Sequence, residues 1–160
     1  TGWRIGASIG PRSIIKQMAR FNINDESCTN HFIQLALASV LDNEDDDGRN
    51  IIERLRKRRD ISVKKLKSIN GLDVPYPDST FYLFPNVTKI MNKKGYSSLE
   101  KFRVDALINT GVSFCTREHF GSPGKNEDQK YIRLAYSGIN SNKISEGLDK
   151  FINWINKNDI

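Results

Sequence analysis

Apolar side chains alternate with small or polar ones over residues 3 to 9, which is the pattern of a β-strand with one buried face. The other patterns in the first 45 residues predict helices, over about 12 to 21 after Pro11 and over 28 to 41. A single strand has no ladder partner, so its backbone N–H and C=O groups would stay unpaired. We therefore expect this part of the chain to be the edge of a larger α/β domain.

The chain from about residue 70 onward predicts a small sheet. Three segments are rich in β-forming residues or alternate in polarity, at 79 to 84, 111 to 114 and 131 to 137. The stretch from 121 to 130, "GSPGKNEDQK", is typical of a mobile loop.

Helical spacing appears between and after these strands. Ser97 and Glu100 have the spacing of a capping box at the start of a helix. A last helix has an apolar stripe at three- and four-residue steps: Ile144, Leu148, Phe151 and Ile155. The 28–41 helix has a comparable stripe: Phe32, Leu35, Ala36 and Val40. The chain from 70 onward is thus predicted to be an α+β layer.

The charge of the chain is concentrated in one predicted helix. The formal net charge is +6, and residues 49 to 67 carry nine basic side chains against two acidic ones. A basic helix can bind phosphate backbones, but this one lacks the aromatic residues that stack on bases. Such a run is more often a solvated helix face, so we do not expect a nucleic-acid partner. A non-catalytic module that binds a partner through this helix remains an alternative.

The composition excludes several other classes. No apolar run approaches the ~20 residues that a membrane span needs, and no segment has the pattern of a signal peptide. Cys28 and Cys115 lie far apart, as do His31 and His119. Two cysteines cannot form a Cys-only zinc site, and they favour a reducing compartment. We expect a cytoplasmic protein with no membrane span and no metal site.

Four segments, taken in order and at their spacing, carry a family resemblance. They resemble the C-terminal part of class I/II aminotransferases, which are pyridoxal-phosphate enzymes of fold type I and of the aspartate aminotransferase type. These segments are "TGWRIG", "STFYLFPNV", "GVSFCTREHFG" and "YIRLAYS". The resemblance covers essentially the whole chain. It implies an α/β fold in three parts: 1–45 as the end of the large cofactor-binding domain, 46–69 as a connecting basic helix, and 70–160 as the C-terminal small domain.

The resemblance also implies roles for two arginines. Arg4 aligns with the family arginine that binds the cofactor phosphate, and Arg133 with the arginine that binds the substrate's α-carboxylate. A planar guanidinium suits both, because it forms paired hydrogen bonds to such oxygens. Taken without the resemblance, Arg4 fits the polar face of a strand and Arg133 the surface of an edge strand. The lysine that binds the cofactor is expected upstream of Thr1, so no catalytic residue is expected in this stretch.

The implied function is transfer of an amino group from an L-amino acid, with an aspartate-like one as the best guess, to a 2-oxo acid. The full-length enzyme would use pyridoxal 5'-phosphate and act as a homodimer, and this fragment alone would be inactive. A lyase or synthase of the same fold type remains an alternative. Ser79 replaces a frequent family glycine, and Arg117 and Glu118 replace a small glycine-containing turn. These departures leave the substrate open.

Overall fold

The computed structural model describes residues 2–41 and 47–157. The chain divides into two compact units, Thr1–Asp47 and Gly48–Ile160. The three-part division drawn from the sequence stays a prediction. No helix in the described ranges is long and apolar enough to cross a membrane.

The first unit contains two of the expected helices, α1 (Arg12–Asp25) and α2 (His31–Leu41). The carbonyl of Pro11 accepts the first helical hydrogen bonds, from the N–H groups of Ile14 and Ile15 at 3.0 and 3.1 Å. Neither helix has a buried residue, and the expected apolar stripe of α2 is exposed. The described part of this unit supplies no layer that could cover the stripe.

The expected strand over residues 3 to 9 does not form. The chain from Gly2 to Pro11 has no regular secondary structure. A strand is stable only in a ladder, and none of the described backbone pairs with this segment. The alternating pattern is therefore present in the sequence without the partner it needs.

The basic helix is α3 (Asp47–Leu66). Val63 and Leu66 are buried on its apolar side. Basic side chains also contribute to packing, because Arg58 donates to the carbonyl of Ser137 and Lys65 pairs with Asp149. The C-terminal half of the helix is thus part of the second unit's core and its polar surround.

A three-stranded antiparallel sheet lies at the centre of the second unit, in the order β1-β3-β2. Its strands are β1 (Tyr82–Leu83), β2 (Cys115–Thr116) and β3 (Ile132–Ala135). The segments predicted at 79–84 and 131–137 contain β1 and β3. Because β3 pairs on both sides, its backbone is the most constrained of the three.

The strand predicted at 111 to 114 is wrong in position. Gly111 ends the preceding helix in the left-handed conformation, with φ +73°, which glycine adopts without strain. The N–H of Val112 then donates to Thr110 Oγ1 at 3.1 Å. These residues complete the helix end, so sheet pairing begins only at Cys115.

Three further α-helices and one 3₁₀ helix complete the described part of this unit. They are α4 (Thr88–Lys93), α5 (Leu99–Thr110), the 3₁₀ helix Arg117–Phe120 and α6 (Ser141–Asn156). The capping residue of α5 is Ser98, not Ser97, since Ser98 Oγ accepts from the N–H of Lys101 at 3.2 Å. Glu100 pairs with Arg103 instead of closing a capping box.

Helices α5 and α6 pack through a cluster of aromatic rings. The ring of Phe102 lies 5.4 Å from those of Tyr96 and Trp154 and 6.0 Å from that of Phe114, centroid to centroid. Phe151 joins the cluster from α6. The stripe predicted for this helix is confirmed, because all four of its residues are buried.

Truncating Phe151 to Ala should therefore destabilise the second unit strongly. Phe151 is almost fully buried, and removal of such a ring typically costs about 3–5 kcal/mol in free energy of unfolding. Urea unfolding followed by circular dichroism measures this. Ile108→Ala on α5, where the side chain is 76% exposed, is the control and should cost less than about 0.5 kcal/mol. Equal losses in the two variants would contradict this account of the core.

Candidate functional site

Arg133 lies on the central strand of the sheet, not on an edge strand. It is directly opposite Cys115 in the β2–β3 register. Its Nη2 lies 3.7 Å from Cys115 Sγ, and the residue as a whole is half-buried. The pairing of β3 on both sides fixes the backbone from which this guanidinium projects.

Two aromatic rings contact the guanidinium of Arg133. Its Cζ lies 4.3 Å from the ring centroid of Tyr82 and 4.4 Å from that of Phe120. Both distances are within the range of cation–π interactions. A cation–π contact uses the positive charge of the guanidinium and forms no N–H···O bond. The arrangement suits a ligand with two adjacent oxygens, such as a carboxylate.

Tyr82 reaches Arg133 from β1, on the neighbouring strand of the sheet. Its backbone pairs with Ala135. The segment before it is tied to the residue that directly follows β3, since Tyr136 Oη donates to the carbonyl of Thr80 at 2.9 Å. The position of the Tyr82 ring is thus determined by sheet pairing.

Phe120 reaches Arg133 from the 3₁₀ helix after β2. At the start of this helix, the N–H of Thr116 donates to His119 Nδ1 at 3.2 Å, and Thr116 Oγ1 lies 2.7 Å from the same nitrogen. The Phe120 side chain is 48% exposed. Its position therefore depends on the turn that carries it more than on burial.

An ion pair joins this helix to the following loop. Arg117 Nε lies 2.7 Å from Glu127 Oε1, and Arg117 Nη2 donates to Glu127 Oε2 at 2.9 Å. The N–H of Gly124 donates to the same carboxylate at 3.1 Å. This hydrogen bond and the Arg117 guanidinium hold the pKa of Glu127 below its usual range. The segment that the sequence predicts to be a mobile loop is thus joined to the 3₁₀ helix by a two-point ion pair.

Ser79 contributes to a different part of the unit. It lines a cavity of about 300 Å³ together with Arg56 and Arg59. Arg59 stacks on Tyr76 at 4.4 Å and pairs with Asp60 at 3.0 Å. Arg133 is not among the residues that line this cavity.

Arg4 belongs to the first unit and has a left-handed backbone conformation, with φ +47°. Its side chain is exposed. Within the described ranges, no hydrogen bond or ion pair engages its guanidinium. A guanidinium presents its N–H donors as a planar fork, which is the chemistry that a phosphate requires. The two arginines predicted from the sequence lie in different compact units.

The groups around Arg133 are not predictable from the sequence pattern. Tyr82 and Phe120 are within the quoted motifs, but alternation and composition do not show that their rings meet one guanidinium. Nothing in the sequence around Cys115 indicates that this residue lies opposite Arg133. Arg117 stands out only as a departure from a glycine-containing turn, and nothing in the spacing pairs it with Glu127.

The Glu127 contacts predict a pH-dependent loop. A lowered pKa means that the ionised carboxylate stabilises the folded loop above the unfolded pKa, about 4.3, and that this stabilisation is lost as the pH falls through the folded value. The exchange protection of the Gly124 amide, corrected for the intrinsic rate, should fall over that acidic range. The Gly111 amide, which donates to the carbonyl of Leu107, is the control. Parallel loss at both amides would contradict a local effect of Glu127.

Comparison with known proteins supports a family assignment. The family model described as "Aminotransferase class I and II" matches residues 1–151. An aspartate aminotransferase of Sulfolobus acidocaldarius is 32% identical over 98% of this chain and 38% of its own length. An LL-diaminopimelate aminotransferase of Halothermothrix orenii is 30% identical over 96% of this chain and 36% of its own.

A solved structure agrees with these relatives. The aromatic aminotransferase from Pyrococcus horikoshii has a TM-score of 0.72 and 27% identity, over 97% of this chain and 39% of that one. The chain thus spans under two fifths of the length of the relatives it matches. The resemblance inferred from the four sequence segments is confirmed, as are the α/β fold type and the cofactor class of the family. The chain belongs to the class I and II aminotransferases, a family of pyridoxal-phosphate-dependent enzymes.

Proposed function

We propose that the whole protein is an aminotransferase that moves an amino group from an L-amino acid to a 2-oxo acid. The observation that carries the proposal is Arg133 on the central strand, its guanidinium in contact with two rings. Both substrates contain a carboxylate next to the reacting carbon, so one such arginine can serve both halves of the reaction. Family membership supports the same conclusion.

Arg133 would bind the α-carboxylate through two parallel N–H···O bonds. A bidentate pair fixes the direction of the substrate as well as its position. The rings of Tyr82 and Phe120 limit the rotation of the guanidinium and shield it from water, which strengthens its interaction with a carboxylate. The residue therefore orients the substrate and takes no proton itself.

Arg4 would bind the phosphate of the cofactor. Its exposed, unpartnered fork among the described residues fits a phosphate dianion. Pyridoxal phosphate, when bound, supplies the electron sink that makes the Cα–H bond of the amino acid breakable and carries the amino group between substrates. Holding it is the role proposed for Arg4, and holding the substrate is the role proposed for Arg133.

An aspartate-like amino acid remains the best proposal for the donor. One relative is named for aspartate and another for LL-diaminopimelate. Both compounds carry an α-amino acid group, which Arg133 would bind in the same way, and differ in the remainder of the side chain. The homodimer implied by the resemblance and the cytoplasmic location inferred from the composition stay predictions.

Substitution of the two arginines in the whole protein should have different effects. Arg133→Ala should lower kcat/KM for α-amino acids about 30- to 5,000-fold, the equivalent of about 2–5 kcal/mol for loss of a buried charge-pair partner. Arg133→Lys should also be impaired, because lysine keeps the charge and loses the fork. The cofactor should be retained in both variants.

Arg4→Ala should instead weaken cofactor retention first. Arg12→Ala is its matched control, because Arg12 is another exposed arginine of the first unit. Steady-state kinetics and cofactor titration measure the two properties. If Arg133→Ala released the cofactor but kept its affinity for amino acids, the two assignments would be wrong.

A further inference from the structure

We propose that Arg117 and Glu127 form a positioning pair that holds Phe120 against Arg133 and thereby sets the affinity for the substrate carboxylate. The proposal rests on the role of Arg133 given above. Neither residue is predicted to touch the substrate, so the pair would act through Phe120.

Phe120 needs such support because little else fixes its ring. The side chain is 48% exposed, and the 3₁₀ helix that carries it is four residues long. Short 3₁₀ helices have poor hydrogen-bond geometry and little stability of their own. By contrast, Tyr82 is held by sheet pairing with Ala135. Of the two rings on Arg133, Phe120 is therefore the one whose position can be lost.

The ion pair acts on the backbone next to Phe120. One guanidinium makes three contacts: Arg117 Nε and Nη2 with the two oxygens of Glu127, at 2.7 and 2.9 Å, and Nη1 with the carbonyl of Gly121 at 2.9 Å. Gly121 directly follows Phe120 and has φ +118°, a conformation that side-chain-bearing residues rarely adopt. The contacts thus fix the residue at which the chain leaves the 3₁₀ helix.

The backbone of Arg117 is also anchored beside β3, the strand that carries Arg133. The N–H of Arg117 donates to the carbonyl of Tyr131 at 2.9 Å, two residues before Arg133. The turn is therefore held at its start by the backbone of Arg117 and at its end by its side chain. The position of Phe120 relative to Arg133 is therefore fixed as long as the ion pair of Arg117 and Glu127 is intact.

Most exposed ion pairs contribute little, because solvent screens them and long side chains lose entropy. This pair differs in geometry, since it is bidentate and both side chains are only 25% exposed. Glu127 also accepts a hydrogen bond from the N–H of Gly124, which closes the short loop between these two residues. Losing the carboxylate charge should release the loop and let the Phe120 ring leave Arg133.

The test compares Glu127→Gln and Arg117→Lys in the whole protein with Glu118→Gln. Glu118 is an exposed carboxylate of the same 3₁₀ helix and serves as the matched control. We expect KM for the amino acid to rise about 3- to 10-fold in the first two variants, since small losses of orientation are costly. Turnover number should change less than about twofold and cofactor affinity not at all, because the pair acts on substrate orientation alone.

The double variant Arg117→Lys/Glu127→Gln shows whether the two residues act as one unit. Its KM should be no higher than that of the worse single variant, because each substitution already breaks the same pair. Multiplicative effects would contradict the proposal. So would an unchanged KM in Glu127→Gln, or a KM increase accompanied by loss of cofactor.

Limited trypsin digestion gives a readout that is independent of activity. Lys125 is exposed within the loop, and cleavage after it should be several-fold faster in Glu127→Gln than in wild type or Glu118→Gln. Faster cleavage with unchanged KM would show that the pair orders the loop without positioning the site, which overturns the inference. An inactive wild-type protein that retains its cofactor would overturn the proposed function, and this inference with it.

Discussion

The pairing of β3 with a strand on each side is the constraint on which the candidate site depends. Register places Arg133 opposite Cys115 on one side, and two residues further along β3 Ala135 lies opposite Tyr82 on the other. A slip of β3 by one residue against its neighbours would move Arg133 to the other face of the sheet. Burial makes such a slip costly, because Ile132 and Leu83 lie in the core. The aromatic cluster between α5 and α6 thus supports the site indirectly, by keeping one face of this small sheet covered.

The two rings on Arg133 are held by different means, and this difference organises the site. Strand pairing fixes the position of the Tyr82 ring, and this pairing forms cooperatively with the core. The position of the Phe120 ring depends on a short turn, which is closed by the contacts of Arg117 with Glu127 and Gly121. The sheet thus fixes one ring beside Arg133, whereas the position of the other ring depends on residues near the surface.

The sequence predicted the elements whose signals are local. The last helix was predicted from its stripe, and Ile144, Leu148, Phe151 and Ile155 are all buried. The predicted position of β2 is wrong because residues 111 to 114 complete the end of α5. The β-forming residues of this segment are compatible with both a helix end and the start of a strand. The strand over 3 to 9 was predicted from alternation alone, whereas a strand also needs a neighbour. The contacts of Arg133 could not be predicted, because they join residues up to 51 positions apart through sheet pairing and one ion pair.

The central claim is that Arg133 binds the carboxylate of the substrate. The most direct measurement is a crystal structure of the whole protein with cofactor and an unreactive α-carboxylate analogue of its amino acid. The account predicts both carboxylate oxygens within about 3.2 Å of Arg133 nitrogens, with Tyr82 and Phe120 still in contact with the guanidinium. A carboxylate bound elsewhere, with Arg133 unengaged, would contradict it.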